Sequence, residues 1–257
     1  MDDRLGELLS ANNALFGIVC RDTTHTDLEL MAQTGYHVVW IDLEHGPQSM
    51  TEAIGLARTA KHLGMVPLLR IVELSRTHVQ AALDGGFQIV TLPDVKDSIE
   101  AARFAALGKY PPMGQRGVST TSAGTDFSLG DDPGRTLREA NDATHLMVMF
   151  ESDEAYGDRE AILAVDGIDM AIVGLSDWSI SLGLDLREAA SLLGPKVDRI
   201  LEDVSAAGKT AAMMVATPEQ VRAYADRGAR VFFVGVDVSM RRAMLVDRLS
   251  PLREAVR

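Results

Sequence analysis

The 257-residue sequence has a single cysteine, Cys20, which excludes an internal disulfide and any Cys-rich zinc centre. Cationic residues are scarce: 25 Lys and Arg stand against 37 Asp and Glu, a formal net charge of −12. No basic stretch interrupts that acidity, so the expectation is no nucleic-acid partner and no anionic membrane partner. No apolar run approaches the roughly 18 residues that a membrane-crossing helix needs. The opening MDDRLGELLSANN is acidic and polar, with no secretory or mitochondrial features, and a cytoplasmic location is expected. A Gly-rich dinucleotide fingerprint and a phosphate loop are both missing, so nucleotide cofactors have no motif support. An anionic ligand would have to be held by a few local cations or a metal, against the overall field.

Hydrophobic residues make up 46% and charged residues 24%, a globular balance that rules out wholesale disorder. Short β-branched runs alternate with longer amphipathic stretches, the pattern of a parallel α/β sheet. Eight strands are predicted: Leu15–Val19, His37–Ile41, Val66–Arg70, Gln88–Leu92, His145–Phe150, Asp169–Val173, Thr210–Val215 and Val231–Val234. Their runs (VVWI, VPLL, IVTL, MAIV, VFFV) are continuously apolar, as burial on both faces requires. Helices are predicted over Asp27–Gln33, Met50–His62, Ser75–Leu83, Ser98–Ala106, Asp153–Ala164, Pro195–Ala207, Pro218–Arg227 and Ser239–Val256. Ser49 and Thr217 are placed to cap two of them, and Gly35, Gly64, Gly85, Gly208 and Gly228 to end others. Eight strand–helix units point to a (β/α)8 barrel over residues 1–257 as one domain, ahead of a doubly wound sheet. The stretch Leu107–Ala143, rich in Gly, Pro, Ser and Thr, is expected to be a long functional or disordered loop.

In such barrels the active site lies where the βα loops converge, at the C-terminal strand ends. Asp42-Leu43-Glu44-His45 follows the second predicted strand, Arg70 ends the third, Glu151 follows the fifth and Gly174-Leu175-Ser176-Asp177 follows the sixth. Glu151 and Asp177 are two hard oxygen ligands at adjacent mouths, suited to Mg2+ or Mn2+ with open positions for substrate oxygens. Either acid taken alone is as well explained as a helix cap or a solvated loop residue. His45 lies beside Asp42 and Glu44 and is a candidate general base, or else a packing residue. Arg70 closes an apolar run, so it stabilises an anionic oxygen, pairs with Asp42 or Glu44, or does both. None of the five lysines ends a predicted strand, which removes the amine a Schiff-base mechanism needs. Cys20 reads as a small hydrophobe rather than a nucleophile.

Six motifs together resemble the HpcH/HpaI family of class II, metal-dependent pyruvate aldolases. They are Ile41-Asp42-Leu43-Glu44-His45-Gly46-Pro47, Pro67-Leu68-Leu69-Arg70, Lys109 to Val118, Phe150-Glu151-Ser152, Gly174-Leu175-Ser176-Asp177 and Val234-Gly235-Val236-Asp237. The resemblance implies a (β/α)8 TIM barrel of the phosphoenolpyruvate/pyruvate type, and cleavage of a hydroxylated 2-oxo acid to pyruvate and an aldehyde. It implies a divalent metal (Mg2+, Mn2+ or Co2+) on Glu151 and Asp177, His45 as base oriented by Asp84, and Arg70 on the enolate oxygen. It implies further that backbone N–H groups of Gly174, Leu175 and Ser176 hold the substrate carboxylate. Family members form hexamers with the last helix exchanged between subunits, and a homohexamer is expected here. The sequence departs from the family at Met149, where a glutamine usually stands near the pyruvate. It departs again at the Gly174–Ser179 turn, in the Ile18–Asp22 segment and at Asp94, so a different 2-oxo acid is a plausible substrate. Two other functions fit the same barrel: a CoA-thioester lyase of the citrate-lyase-β or malyl-CoA-lyase type, and a catalytically silent carboxylate binder.

Overall fold

A computed structural model describes residues 2–128 and 132–256. Eight parallel strands close in chain order into a barrel: β1 (Leu15–Cys20), β2 (Val38–Asp42), β3 (Val66–Arg70), β4 (Ile89–Leu92), β5 (His145–Phe150), β6 (Met170–Val173), β7 (Thr210–Met214) and β8 (Ala229–Val236), with β8 pairing β1. The expected eight-unit barrel is therefore present; half of the strand ends fall where predicted and the other half differ by one or two residues. Among the described residues the helices are α1 (Arg4–Ala11), α2 (His25–Gln33), α3 (Met50–His62), α4 (Arg76–Gly85), α5 (Ser98–Gly108), α6 (Pro133–Asp142), α7 (Asp153–Gly157), α8 (Arg159–Leu163), α9 (Leu175–Ser181), α10 (Leu186–Ala206), α11 (Pro218–Ala225) and α12 (Asp237–Glu254).

Alternation along each strand builds two cores. Val38, Trp40, Leu68, Ile89, Met147, Met149, Ile172 and Phe233 point into the barrel. Val39, Ile41, Leu69, Val90, Val148 and Phe232 point outward against the helices. Gly17 makes room inside: a Cβ there would lie 2.7 Å from the Phe233 ring, which stands edge-on to Trp40 at 4.8 Å between centroids. Leu5 and Leu8 of α1 join the inner core. They close the end of the barrel away from the βα loops.

The caps form as expected. Ser49 accepts the Glu52 N–H and Glu52 returns the bond, while Thr217 accepts from Gln220 ahead of Pro218. Gly86, not Gly85, takes the left-handed conformation that ends α4 (φ 101°). The described part of the Leu107–Ala143 segment is not one long loop: it carries a short 3-10 turn at Ala123–Thr125 and helix α6. Its PGRTLREAND sequence buries only Thr136, Ala140 and Asn141, leaving little apolar period to find. Pro195 does not start its helix: α10 begins at Leu186 and runs through it. The predicted Asp153–Ala164 helix is broken between Gly157 and Arg159 into α7 and α8. Among the described residues, no helix is long and apolar enough to cross a membrane.

Candidate active site

Three strand ends supply a buried ion cluster. Asp42 ends β2 and lies in register with Arg70 at the end of β3, which in turn faces Thr91 on β4. Asp42 is fully buried, and burial alone would raise its carboxyl. Arg70 grips it with two hydrogen bonds, Nε to Oδ1 at 2.9 Å and Nη2 to Oδ2 at 2.6 Å, and Arg21 adds a third at 3.0 Å. These cations hold Asp42 below the ordinary carboxylate range. The same carboxylate accepts the backbone N–H groups of Glu44 and His45 at 3.2 and 3.3 Å, so it also shapes the turn that carries His45. Arg70 completes its shell with Glu44 at 3.0 Å and lies over the Trp40 ring. Of the two roles open to Arg70, pairing with Asp42 and Glu44 is observed, and its side chain still lines the cavity.

Glu151 follows β5 and is 5% exposed. One oxygen accepts the Asp94 N–H at 2.9 Å. Asp94 adopts a left-handed backbone (φ 47°), rare outside glycine and commonest at functional sites, and that conformation accompanies the N–H bond to Glu151. Gly174 packs on the other side; a Cβ there would overlap the Glu151 carboxylate. Asp177, in the first turn of α9, is the second acid. Burial is the largest influence on Glu151 and the Asp177 carboxylate adds to it, outweighing the Asp94 N–H and the Arg70 charge. The Glu151 carboxyl is pushed up to about 8. Two carboxylates forced together beside a glycine cradle fit a divalent cation, which would relieve their repulsion. Among the described residues no group of three or more His, Cys, Asp and Glu side chains converges on one point. Glu151 and Asp177 could supply two oxygen ligands to such an ion, with positions left for substrate and water.

His45, Arg70, Met149, Glu151, Gly174, Leu175, Ser176 and Asp177 all line one cavity of about 230 Å³ at the C-terminal strand ends. Asp84 does not. It sits on α4, where its carboxylate takes Arg116 at 2.7 Å and Gln80 at 3.4 Å, and the expected orienting contact with His45 is not made within the chain. His45 itself is half-exposed, and its ring Nε2 lies 3.8 Å from the Glu44 carboxylate. A second cleft, of about 200 Å³ beside Arg4 and Phe87, opens at the other strand ends and lacks an acid pair.

Asp42 and Asp237 stand in motifs visible in the sequence but carry no assigned site role there, and nothing in the sequence singles out Arg21. Asp237, 4% exposed at the start of α12, accepts the N–H groups of Arg21 and Asp22 and the Thr23 hydroxyl, at 3.0, 3.1 and 2.9 Å. The segment carrying Arg21 is thus tied to the far end of the chain, 215 or so residues away. The signal in the sequence is the Val234-Gly235-Val236-Asp237 motif, which marks the position but not its partners.

The chain matches the HpcH/HpaI aldolase/citrate lyase family over residues 20–243. It is 30% identical over 251 residues to a 2-keto-3-deoxy-L-rhamnonate aldolase of Salmonella gallinarum (strain 287/91 / NCTC 13346), covering 95% of this chain and 91% of that one. Among solved structures, an HpcH/HpaI aldolase from Desulfitobacterium hafniense DCB-2 superposes with a TM-score of 0.89 at 26% identity, covering 97% and 96% of the two chains. An HpcH/HpaI aldolase/citrate lyase family protein from Burkholderia cenocepacia J2315 gives 0.86 at 26% identity, with 98% and 100% covered.

Proposed function

The chain belongs to the HpcH/HpaI aldolase/citrate lyase family, and from that premise we propose that it is a divalent-metal-dependent aldolase releasing pyruvate, or a close 2-oxo acid, and an aldehyde from a hydroxylated 2-oxo acid. One observation carries the reading: Glu151 and Asp177 crowd together at the mouth of a cavity that Arg70 and His45 also line. Glu151 and Asp177 would hold the metal, whose chemistry is that of a Lewis acid lowering the cost of an enolate. Arg70 cannot swing away, since Asp42 and Glu44 fix it, and its charge faces the oxygen that becomes anionic. The Gly174 N–H is donated to the Phe150 carbonyl at 3.0 Å, so the expected carboxylate contact narrows to the Leu175 and Ser176 N–H groups at the start of α9, where no side-chain cap competes. His45 takes the proton of the 4-hydroxyl as the C3–C4 bond breaks; the bonding pair passes into the enolate, and a proton then returns to C3.

A homo-oligomer is part of the proposal. Helix α12 buries only Asp237 against its own chain, while Met244, Leu245, Leu249 and Leu252 stand exposed. Side chains of that kind over 18 residues support a second copy as their cover.

Exchange of pyruvate methyl protons in D2O, followed by NMR with Mg2+, Mn2+ or Co2+, tests the function. Exchange is expected with metal, absent with chelator, and reduced at least ~100-fold in His45→Ala. Metal binding without exchange on any of several 2-oxo acids would overturn the aldolase in favour of a silent binder. Thioester cleavage without exchange would move the protein to the CoA-thioester lyases.

A further inference from the structure

The cavity is chemically two-sided. Its acid–base and charge-bearing groups are His45, Arg70, Glu151 and Asp177, from β2, β3, β5 and β6, together with Arg21 after β1, whose head is drawn to Asp42 at the end of β2. The remaining arc, β7 through β8 to β1, presents Met214, Val236 and Val19, over a floor of Met149 and Ile172. Outside the acid–base set, the side chains at the lining that can hydrogen-bond are Arg21, Ser176 and Trp40. Each is unsuited to a substrate hydroxyl on that arc. Arg21 donates its Nε to Asp42, which holds its head at the end of β2, on the charged side of the cavity. Ser176 sits at the start of α9, on the β6 side. The Trp40 indole nitrogen is buried beneath the surface and meets no partner.

We propose that the aldehyde half of the substrate is a short, unhydroxylated alkyl chain seated on the Met214–Val236–Val19 wall. This rests on the aldolase reading and sharpens it to a substrate class. A hydroxyl placed against thioether and methyl carbon gives up its water and gains nothing, whereas each buried methylene gains about fourfold in affinity. The chain is short because the cavity, about 230 Å³, must also hold the 2-oxo acid half. Met149 contributes in the same sense, since a thioether floor offers no amide to a polar substituent.

The test compares two aldehydes with one three-carbon skeleton, propanal and glyceraldehyde, in carboligation with pyruvate by the full-length, Mn2+-loaded protein. Propanal is expected to lead in kcat/KM by about tenfold or more. Met214→Gln, at a rim position 37% exposed, supplies an amide to the wall and should narrow that lead to about threefold or less. The readout is a ratio within each protein, so a general loss of activity in the variant does not alter it. Glyceraldehyde equal to or better than propanal, or an unchanged ratio in Met214→Gln, overturns the inference. So does an aldehyde with a terminal carboxylate that outcompetes propanal, which would make Arg21 a carboxylate reader. These failures leave pyruvate proton exchange intact; loss of that exchange overturns the aldolase reading, and this inference with it.

Discussion

At the scale of single residues, Glu151 is the group whose charge the fold disfavours most clearly. Its carboxyl is pushed up to about 8 by burial and by Asp177, so without metal it contributes stability below its ordinary value of 4.5 and loses it as pH rises through about 8. Metal must displace that proton. Mn2+ affinity, measured by calorimetry, should therefore tighten by about tenfold per pH unit between about pH 6 and 8 and then level off. In metal-free protein, Tm should fall over the same interval, and Glu151→Gln should flatten both trends. Gly174 offers a second residue-level prediction. Its φ of −92° suits any residue, yet a Cβ would strike Glu151. Gly174→Ala should leave circular dichroism unchanged and weaken Mn2+ binding by about tenfold or more, because only the carboxylate has to move. Sequence order placed Glu151 and Asp177 at strand ends, since a strand's length fixes where its mouth lies. It did not reveal that Asp94 turns its N–H onto Glu151, because a left-handed backbone at an aspartate has no composition signature.

Among the elements, α12 does two things at once. Most of its length is exposed, but its first residue, Asp237, pins the Arg21–Thr23 segment. Asp237→Ala would strand two backbone donors and a hydroxyl in a buried place. A loss of about 2–4 kcal/mol in urea denaturation is expected, together with a weaker hold on Arg21. The elements found directly from sequence were those with a strong period and a cap, such as α3 behind Ser49. Those missed were capped too, by Asp3 and Asp132, but carried too little apolar sequence to mark a period. Helix α6 is almost wholly polar, and α1 precedes the first strand, where only Leu5 and Leu8 report that it plugs the barrel. Pro195 misled because proline usually opens a helix, whereas α10 accommodates it after more than two turns.

For the whole molecule, a net charge of −12 and a two-sided cavity impose opposite demands on an anionic substrate. Arg70, already committed to Asp42 and Glu44, cannot balance that charge alone, so 2-oxo acid binding should depend steeply on the divalent cation. The oligomer is tested at this scale too. Leu249→Glu places a charge among the exposed apolar side chains of α12 and should shift light-scattering mass toward smaller species, with the barrel's circular dichroism retained. An unchanged mass would remove α12 from the interface. The sequence by itself determined the barrel, its strand count and the rim on which the chemistry sits, because hydrophobic period and chain order are local properties that dictate which residues end each strand. Only the tertiary structure decided who pairs with whom. Arg70 pairs with both Asp42 and Glu44, Arg21 joins Asp42, Asp84 binds Arg116 rather than His45, and Met214, Val236 and Val19 of β7, β8 and β1 turn an apolar wall to the cavity. Those outcomes follow from which side chains the closed sheet brings into contact across tens to hundreds of residues, and such distances leave no periodic trace in the chain.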